Sequence, residues 1–428
     1  MKRFFAVMLT LILLAGLTAC GQSSQSAPSG QSGPTEQQDA GGADRGKTVN
    51  VFTKKREWNW DRIKEAFEAS HEGYTLNVEI TEATDYYNLL KTYVTTGDLP
   101  DVIQTIPGST IELWKEYLVD IGDLEAFGKM APEISAEYLM DGAYYGVPLF
   151  AEYHGVIYNM ARLKAAGITK VPDTLDEFKA MNEALAAAGE PTGIAPWKGA
   201  SSIIAHMSAP VFGAQSDSLS YYREIESGTR ELAGDRDWNM FLDYMDAVRE
   251  YGNSDALNTD NTTERNAMYV GEYAWYAHDG SWVTPALRAT NPDMEENLQL
   301  GVYPYSNDAS ENKIGVSTQS LSIMNTENVE AAKVFVDWLL GSDEGCDILV
   351  KECNTVILRT DYEMDAADVG ALAVQGRELS EAGRGANNFR YISDAVILNC
   401  ADSIQKYIAG VADREAFFRE MEIHIQNG

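Results

Sequence analysis

Between Thr48 and Ile103 the chain alternates two hydrophobic periods, and this alternation limits the fold more than any other stretch. Thr48 to Thr53 reads as a buried strand, Trp60 to Ser70 as a helix, and Tyr74 to Ile80 as an alternating strand. Thr84 to Thr96 reads as a second helix, with Gly97 at the position where a left-handed glycine ends helices. Pro100 and then Asp101-Val102-Ile103 open a third strand. Strands alternating with helices at this spacing pair in parallel through helical crossovers, so the stretch predicts an α/β fold built on βαβ units.

The rest of the chain is read more coarsely. Asp141-Gly142-Ala143-Tyr144-Tyr145-Gly146 is a turn with flanking aromatics leading to Val147-Pro148. Glu152 to Tyr158 reads as a strand, and Asn159 to Gly167 as a short helix stopped by its glycine. Thr174 and Glu177 have capping-box spacing, and Leu175, Phe178, Met181 and Leu185 form the apolar stripe of the helix they start. The middle third is mostly helical. Ala332, Phe335, Val336, Leu339 and Leu340 give another amphipathic face, and the last sixty residues carry helix patterns only. No internal repeat is visible.

The N-terminus carries an address. Lys2 and Arg3 precede an apolar run from Phe4 to Leu14, and Leu17-Thr18-Ala19-Cys20 follows. The run is shorter than the roughly 20 residues a membrane span needs, and it has the layout of an export signal. The four residues ending in Cys20 resemble a bacterial lipobox. On that reading residues 1–19 are cleaved and Cys20 is lipidated; the plainer alternative is an ordinary cleaved signal followed by a free thiol. Residues 20–47, rich in Gly, Ser, Gln, Pro and Ala, lack the apolar surface to fold and read as a disordered tether. A coil of that length reaches about 25–30 Å.

Charge and cysteine content narrow the function. The formal charge is −32; without Lys2 and Arg3, 31 basic residues face 65 acidic ones, giving −34. Such a body repels nucleic acid and offers no polybasic patch for anionic lipid, although the charge serves equally as a solubility device. Cys346, Cys353 and Cys400 are an odd number in the body and read as buried thiols. A bond between Cys346 and Cys353 would need a helix break. The five histidines are scattered along the sequence, so no metal site and no cofactor is expected.

Three blocks together resemble the extracellular solute-binding proteins of ABC importers, family 1, in the maltose-binding-protein-like carbohydrate branch. They are Thr96-Gly97-Asp98-Leu99-Pro100-Asp101-Val102-Ile103; Asp141 to Pro148 continuing through Val156-Ile157-Tyr158-Asn159 to Pro172–Phe178; and Gly280-Ser281-Trp282 with the later helix Glu330–Val336. The resemblance covers residues 48 to 345 well. It implies a two-lobed α/β periplasmic-binding-protein-like fold, with discontinuous lobes joined by a hinge and ligand held between them. The lobes are expected at roughly 48–153 plus 300–345 and 154–299 plus 346–428. It also implies a small-molecule ligand, a sugar or oligosaccharide, delivered to an ABC transporter permease. The chain is expected to be a monomer on the outer face of the cell membrane, held there only by its lipid.

Sugar recognition needs flat aromatic faces and hydrogen-bonding carboxylates or amides. Trp282 occupies the family's Gly-x-Trp position, where an aromatic packs on ligand; an interlobe core tryptophan is the alternative. Glu152, aligned on Pro148 and Tyr158-Asn159, matches a hinge-strand carboxylate that contacts sugar; a solvated edge charge is the alternative. Trp197 and Trp58 lie in loop-like contexts, whereas Trp60 and Trp275 read as core. Tyr153, His154, Asp279, Glu57 and Arg390 complete the candidate set. Asp101 reads as structural, His206 as a satisfied histidine, and Lys54-Lys55-Arg56 as a solvated run. A tethered extracellular glycoside hydrolase is the rival reading, with Glu57, Glu152 and Asp279 as conceivable carboxylates. GxSxG, Walker A and GxGxxG motifs are absent from the sequence, and Thr75 stands where a zinc protease would need a second histidine. The binding reading is therefore preferred, with no catalytic residues.

Overall fold

The computed structural model describes residues 47–428 except 56–57, 82–84 and 131. The signal, the tether, Cys20 and the candidate Glu57 therefore lie outside the described residues. The strand–helix alternation forms as read: β1 (Thr48–Thr53), α1 (Trp60–Ser70), β2 (Thr75–Ile80), α2 (Tyr86–Thr96) and β3 (Val102–Thr105). β1 lies between β2 and β3 and runs parallel to both. α1 starts at Asn59, whose side chain accepts the Arg62 N–H, and buries Trp60, Ile63, Ala66 and Phe67 on one stripe. Gly97 ends α2 at φ 76°.

Asp101 fastens this unit. Its carboxylate accepts from the backbone N–H of Asn50 at 2.7 Å, from the Asn50 side chain at 2.8 Å, and from Thr326 and Asn328. It therefore binds β1 to the chain that follows the distant strand 314–323, the structural role its sequence context suggests.

Further along come β4 (Val147–Asn159), α3 (Leu175–Ala188), β5 (Gly193–Ile194), α4 (Arg236–Tyr251), β6 (Trp275–Gly280) and β7 (Leu298–Gly301). β8 (Ile314–Ile323), α5 (Val329–Gly341), β9 (Val356–Ile357), β10 (Gly385–Asn387), α6 (Asp394–Ile408) and α7 (Arg414–Asn427) complete the elements that matter here. One curled sheet runs β2-β1-β3-β8-β4-β6-β5, with β7 and β9 added to β4 and β10 to β8. β8 is antiparallel to β3 on one side and to β4 on the other. α3 is capped by Thr174, which accepts the Glu177 N–H at 3.2 Å. The Glu177 carboxylate takes the Asp173 N–H at 2.7 Å, so the reciprocal bond lands one residue early.

Two main apolar cores sit on this sheet. The first gathers Val49, Val51, Phe67, Val102, Phe335 and Leu339, and the second Phe178, Trp197, Trp238, Trp275 and Phe417. A smaller cluster around Phe52, Tyr86 and Ile103 covers the other face of β1 and β3. The chain passes between the main cores more than once. β4 sends Leu149 and Phe150 into the first and Val156 and Tyr158 into the second. Tyr303 and Tyr305 pack in the second core, and Leu321 and Ile323 of β8 in the first. The molecule is thus two-lobed, and its lobes share strands.

Trp275–Gly280 is a strand buried at all six positions, and Trp275 is a core residue as its context suggests. Two expectations need correction. β8 falls where no strand is expected, because its Ser, Thr and Gln positions mask its period. The C-terminal sixty residues contain β10, three residues long and too short to show a period. Cys346 and Cys400 are buried free thiols, while Cys353 is buried and accepts the Asn59 N–H at 3.4 Å. Among the described residues, no helix is long and apolar enough to cross a membrane.

Candidate functional site

The register of β4 against β8 decides which side chains share a face. His154 lies opposite Gly315, Glu152 opposite Ser317, and Phe150 opposite Gln319. Period-two alternation turns all six positions the same way. Ser317 and Gln319 there form the floor of a cavity of about 490 Å³. Its walls include Lys54, Tyr87 and Lys91 from the first lobe, and His206, Asn388, Phe389, Arg390 and Ile392 from the second-lobe side. Phe389 and Ile392 belong to the second core, and Tyr87 packs against the cluster behind β1, so both lobes contribute. The volume is in the range of small-molecule sites.

Beside this cavity lies a smaller void of about 30 Å³, lined by Lys55, Trp58, Phe150, Glu152 and Trp282. It has room for water rather than a sugar ring. Three candidates, Trp58, Glu152 and Trp282, meet here. Glu152 is engaged by Lys55 at 2.7 Å, with side chains only 11% (Lys55) and 16% (Glu152) exposed, and the same ammonium stands 4.2 Å from the Phe150 ring centroid. Lys55 is therefore no member of a solvated run. Trp58 is buried, with its ring 5.4 Å from Trp60 and 5.8 Å from Phe150.

Trp282 is half-buried, and its indole N–H donates to Asp279. Its ring folds back over Gly280, where an added Cβ would come within 2.6 Å of it, so only glycine admits this packing. Asp279 is fully buried and held by Arg265 at 2.9 Å and 3.3 Å and by the Gly280 N–H at 3.1 Å. Burial raises its proton affinity, and the Arg265 guanidinium and Trp282 N–H oppose that. Asp279 thus orients Trp282 from behind. Nearby Glu264 is also fully buried; burial and then the Asp279 charge push it well up, and its Oε2 has no hydrogen-bond partner.

The other candidates separate. Arg390 is in the cavity wall, pinned by the Thr318 carbonyl at 2.9 Å and hydroxyl at 2.6 Å. Tyr153 points away; its Cβ would clash with any side chain at Gly376, and burial pushes its phenol up to about 12. Trp197, 1% exposed, is a core residue of the second lobe and does not line the cavity. Its position after a Gly-Ile-Ala-Pro turn is equally compatible with core or cleft.

The histidines contradict the expectation of scatter. His154, His206 and His278 converge, with one ligand atom of each within 4.8 Å of the others. His206 Nδ1 is 3.0 Å from His278 Nε2. His154 Nδ1 is 2.9 Å from the Tyr303 hydroxyl, and its Nε2 2.9 Å from the Asn388 side-chain oxygen. Burial, before neighbouring charge, drives the proton affinity of all three down, His206 to about 4. The Trp282 ring lies about 6 Å from each imidazole, at 5.9, 5.8 and 6.1 Å. Sequence reading had His154 alone as a candidate; residues 154, 206 and 278 have no local spacing that links them, and sheet topology does.

A curled sheet carrying two cores, with a cavity walled by both and floored by shared strands, defines a two-lobed ligand-binding protein. The chain belongs to the bacterial extracellular solute-binding protein family, whose model matches residues 55–345. It is 25% identical over 303 residues to a multiple sugar-binding protein of Streptococcus mutans, covering 68% of this chain and 70% of that one. A putative binding protein of Brucella abortus is 24% identical over 359 residues, 78% of this chain and 82% of its own. Among solved structures, RafE in complex with raffinose superposes with a TM-score of 0.75 at 18% identity, covering 89% of this chain and 99% of that one. A chitin oligosaccharide binding protein gives 0.73 at 19%, covering 89% and 98%. At that identity the structures support the fold.

Proposed function

We propose that this protein is a lipid-anchored extracellular receptor that captures a sugar or oligosaccharide between its lobes and hands it to an ABC transporter permease. The observation that carries the reading is the cavity of about 490 Å³ walled by both lobes. A ligand that touches both walls favours the closed arrangement over the open one by its differential contacts, and a permease can read that difference. Tyr87 and Phe389 offer aromatic faces in the cavity wall, Trp282 offers one beside the wall residue His206, and Gln319, Asn388 and Arg390 offer donors and acceptors for hydroxyls. The relatives named for sugar and oligosaccharide binding favour the same ligand class. The lobes are taken as 48–153 plus 300–345 and 154–299 plus 346–428, with parts of 267–298 and of 346–373 packing on the first core. Cys20 and the 20–47 tether would keep the loaded receptor at high effective concentration beside the permease.

The hydrolase reading is weaker here. Glu152 and Asp279 are each committed to a cation, Lys55 and Arg265, rather than poised as an acid and a base. The test is a thermal-shift and tryptophan-fluorescence screen of the purified chain against mono- and oligosaccharides, with recovery of the bound sugar. A cognate sugar should raise the melting temperature and come back unchanged. Turnover of that sugar, or no response across the panel, would overturn the reading.

A further inference from the structure

We propose that His154, His206 and His278 form a binding site for one divalent transition-metal ion, such as Zn²⁺, Ni²⁺ or Cu²⁺, at the edge of the interlobe cavity. Neutral imidazoles are the ligands such ions favour, and three of them from one protein leave a coordination position open. A tetrahedral ion about 2.0–2.1 Å from three nitrogens sets those nitrogens about 3.4 Å apart and the ring centroids about 5 Å apart. The ring centroids here are 4.7 Å (154–206), 5.0 Å (206–278) and 5.7 Å (154–278) apart. One nitrogen pair stands at 3.0 Å, and the whole set lies within 4.8 Å. The remaining adjustment falls to His206, which is the partly exposed member and lines the cavity.

The surroundings suit the role. The Tyr303 hydroxyl on His154 Nδ1 can fix the tautomer that leaves Nε2 to the ion, with the Asn388 side chain giving way. The backbone makes room deliberately: at Gly315 any Cβ would sit 1.8 Å from the His154 ring. The Glu264 carboxyl accepts the His278 backbone N–H at 3.4 Å, and Asp279, next in the chain, is already shared with Arg265. Because His206 and Asn388 both line the cavity, the open position faces it, and water or a ligand oxygen would complete the shell.

The test uses the untagged chain stripped with chelator and titrated with Co²⁺, then with Zn²⁺ as competitor. One equivalent should give the intense visible absorption of a low-coordinate Co²⁺ site, with micromolar or tighter affinity, and Zn²⁺ should abolish it. His206→Gln, a change at the most exposed of the three, should weaken binding about 30-fold or more while the melting curve of the metal-free chain stays cooperative. His71→Gln, far from the cluster in sequence and on α1's end, should change nothing. Absence of that absorption in the wild-type chain overturns the proposal. So does binding that survives His206→Gln or is lost in His71→Gln. The wild-type spectrum decides even if a variant fails to fold, and sugar binding is not part of the readout.

Discussion

Replacing Arg265 by methionine tests how Trp282 is held. Arg265 is the cation that faces Asp279, and the two side chains are 34% and 0% exposed. Removing one partner of a buried pair costs about 3–5 kcal/mol, because the remaining charge stays out of water. Here the arginine is partly wetted and the carboxylate keeps the Trp282 and Gly280 N–H bonds, so the lower end, about 3 kcal/mol, is expected. The sign of the pH dependence follows. Burial already raises Asp279 in the native chain, and losing Arg265 raises it further. The folded variant then binds a proton more tightly than its unfolded chain, whose aspartates titrate near about 3.9. Its stability should fall as pH rises from about 4 and level off above the folded value. Urea unfolding followed by circular dichroism at pH 5 and pH 8 should show the larger loss at pH 8. Adding Asp279→Asn to the variant should restore about 2 kcal/mol at pH 8, since a buried amide needs no counter-charge. An equal loss at both pH values, or no rescue by the second change, would refute the account of Asp279 as a buried charge that Arg265 supports.

Other outcomes can be checked with the same tools. Trp282→Ala should weaken binding of the cognate sugar about tenfold, near 1.4 kcal/mol, in isothermal titration, with the fold intact by circular dichroism. Asp101→Ala should lower unfolding stability by about 3 kcal/mol in urea, since it strands donors on Asn50, Thr326 and Asn328 at once. Gly315→Ala should destabilise by about 2–3 kcal/mol through overpacking against the His154 ring, and a double change with His154→Ala should recover part of it. Cys20→Ala in the intact cell should move the protein from the membrane fraction to the medium or periplasm, by immunoblot.

The regular parts of the fold were legible because they are locally periodic. β1, α1, β2, α2 and β3 each carry their own period, and Gly97, Thr174 and Asp101 carry their own chemistry. The floor of the cavity was not. β8 alternates Ser and Gln toward the cavity with residues that pack elsewhere, and pairs with strands some 170 and 215 residues away in register with Thr318↔Ala151 and Ser320↔Thr105. No local pattern announces such a strand. For the same reason Lys55 reads as solvated until Glu152 is seen opposite it, and Trp197 reads as a loop aromatic until the second core closes over it. Glu152 and Trp282 were candidates through the family resemblance and Trp58 through its loop-like context, and no local pattern placed the three around one void.

The shared ladder of β4 and β8 has a mechanical consequence. Both lobes hang on one ladder of backbone hydrogen bonds, interrupted by a single register shift between Gln319 and Ser320, so neither can slide on the other without breaking it. What the ladder permits is a change of twist, which strands tolerate over a wide range at little cost. The molecule behaves as two jaws on a torsion bar. The amides of the bar should exchange slowly whether the jaws stand apart or together, and the side chains on its cavity face would hold their spacing throughout. Variation in what is captured then falls to the jaws, where Tyr87 and Phe389 stand off the axis, whereas Arg390 is tied to it through Thr318.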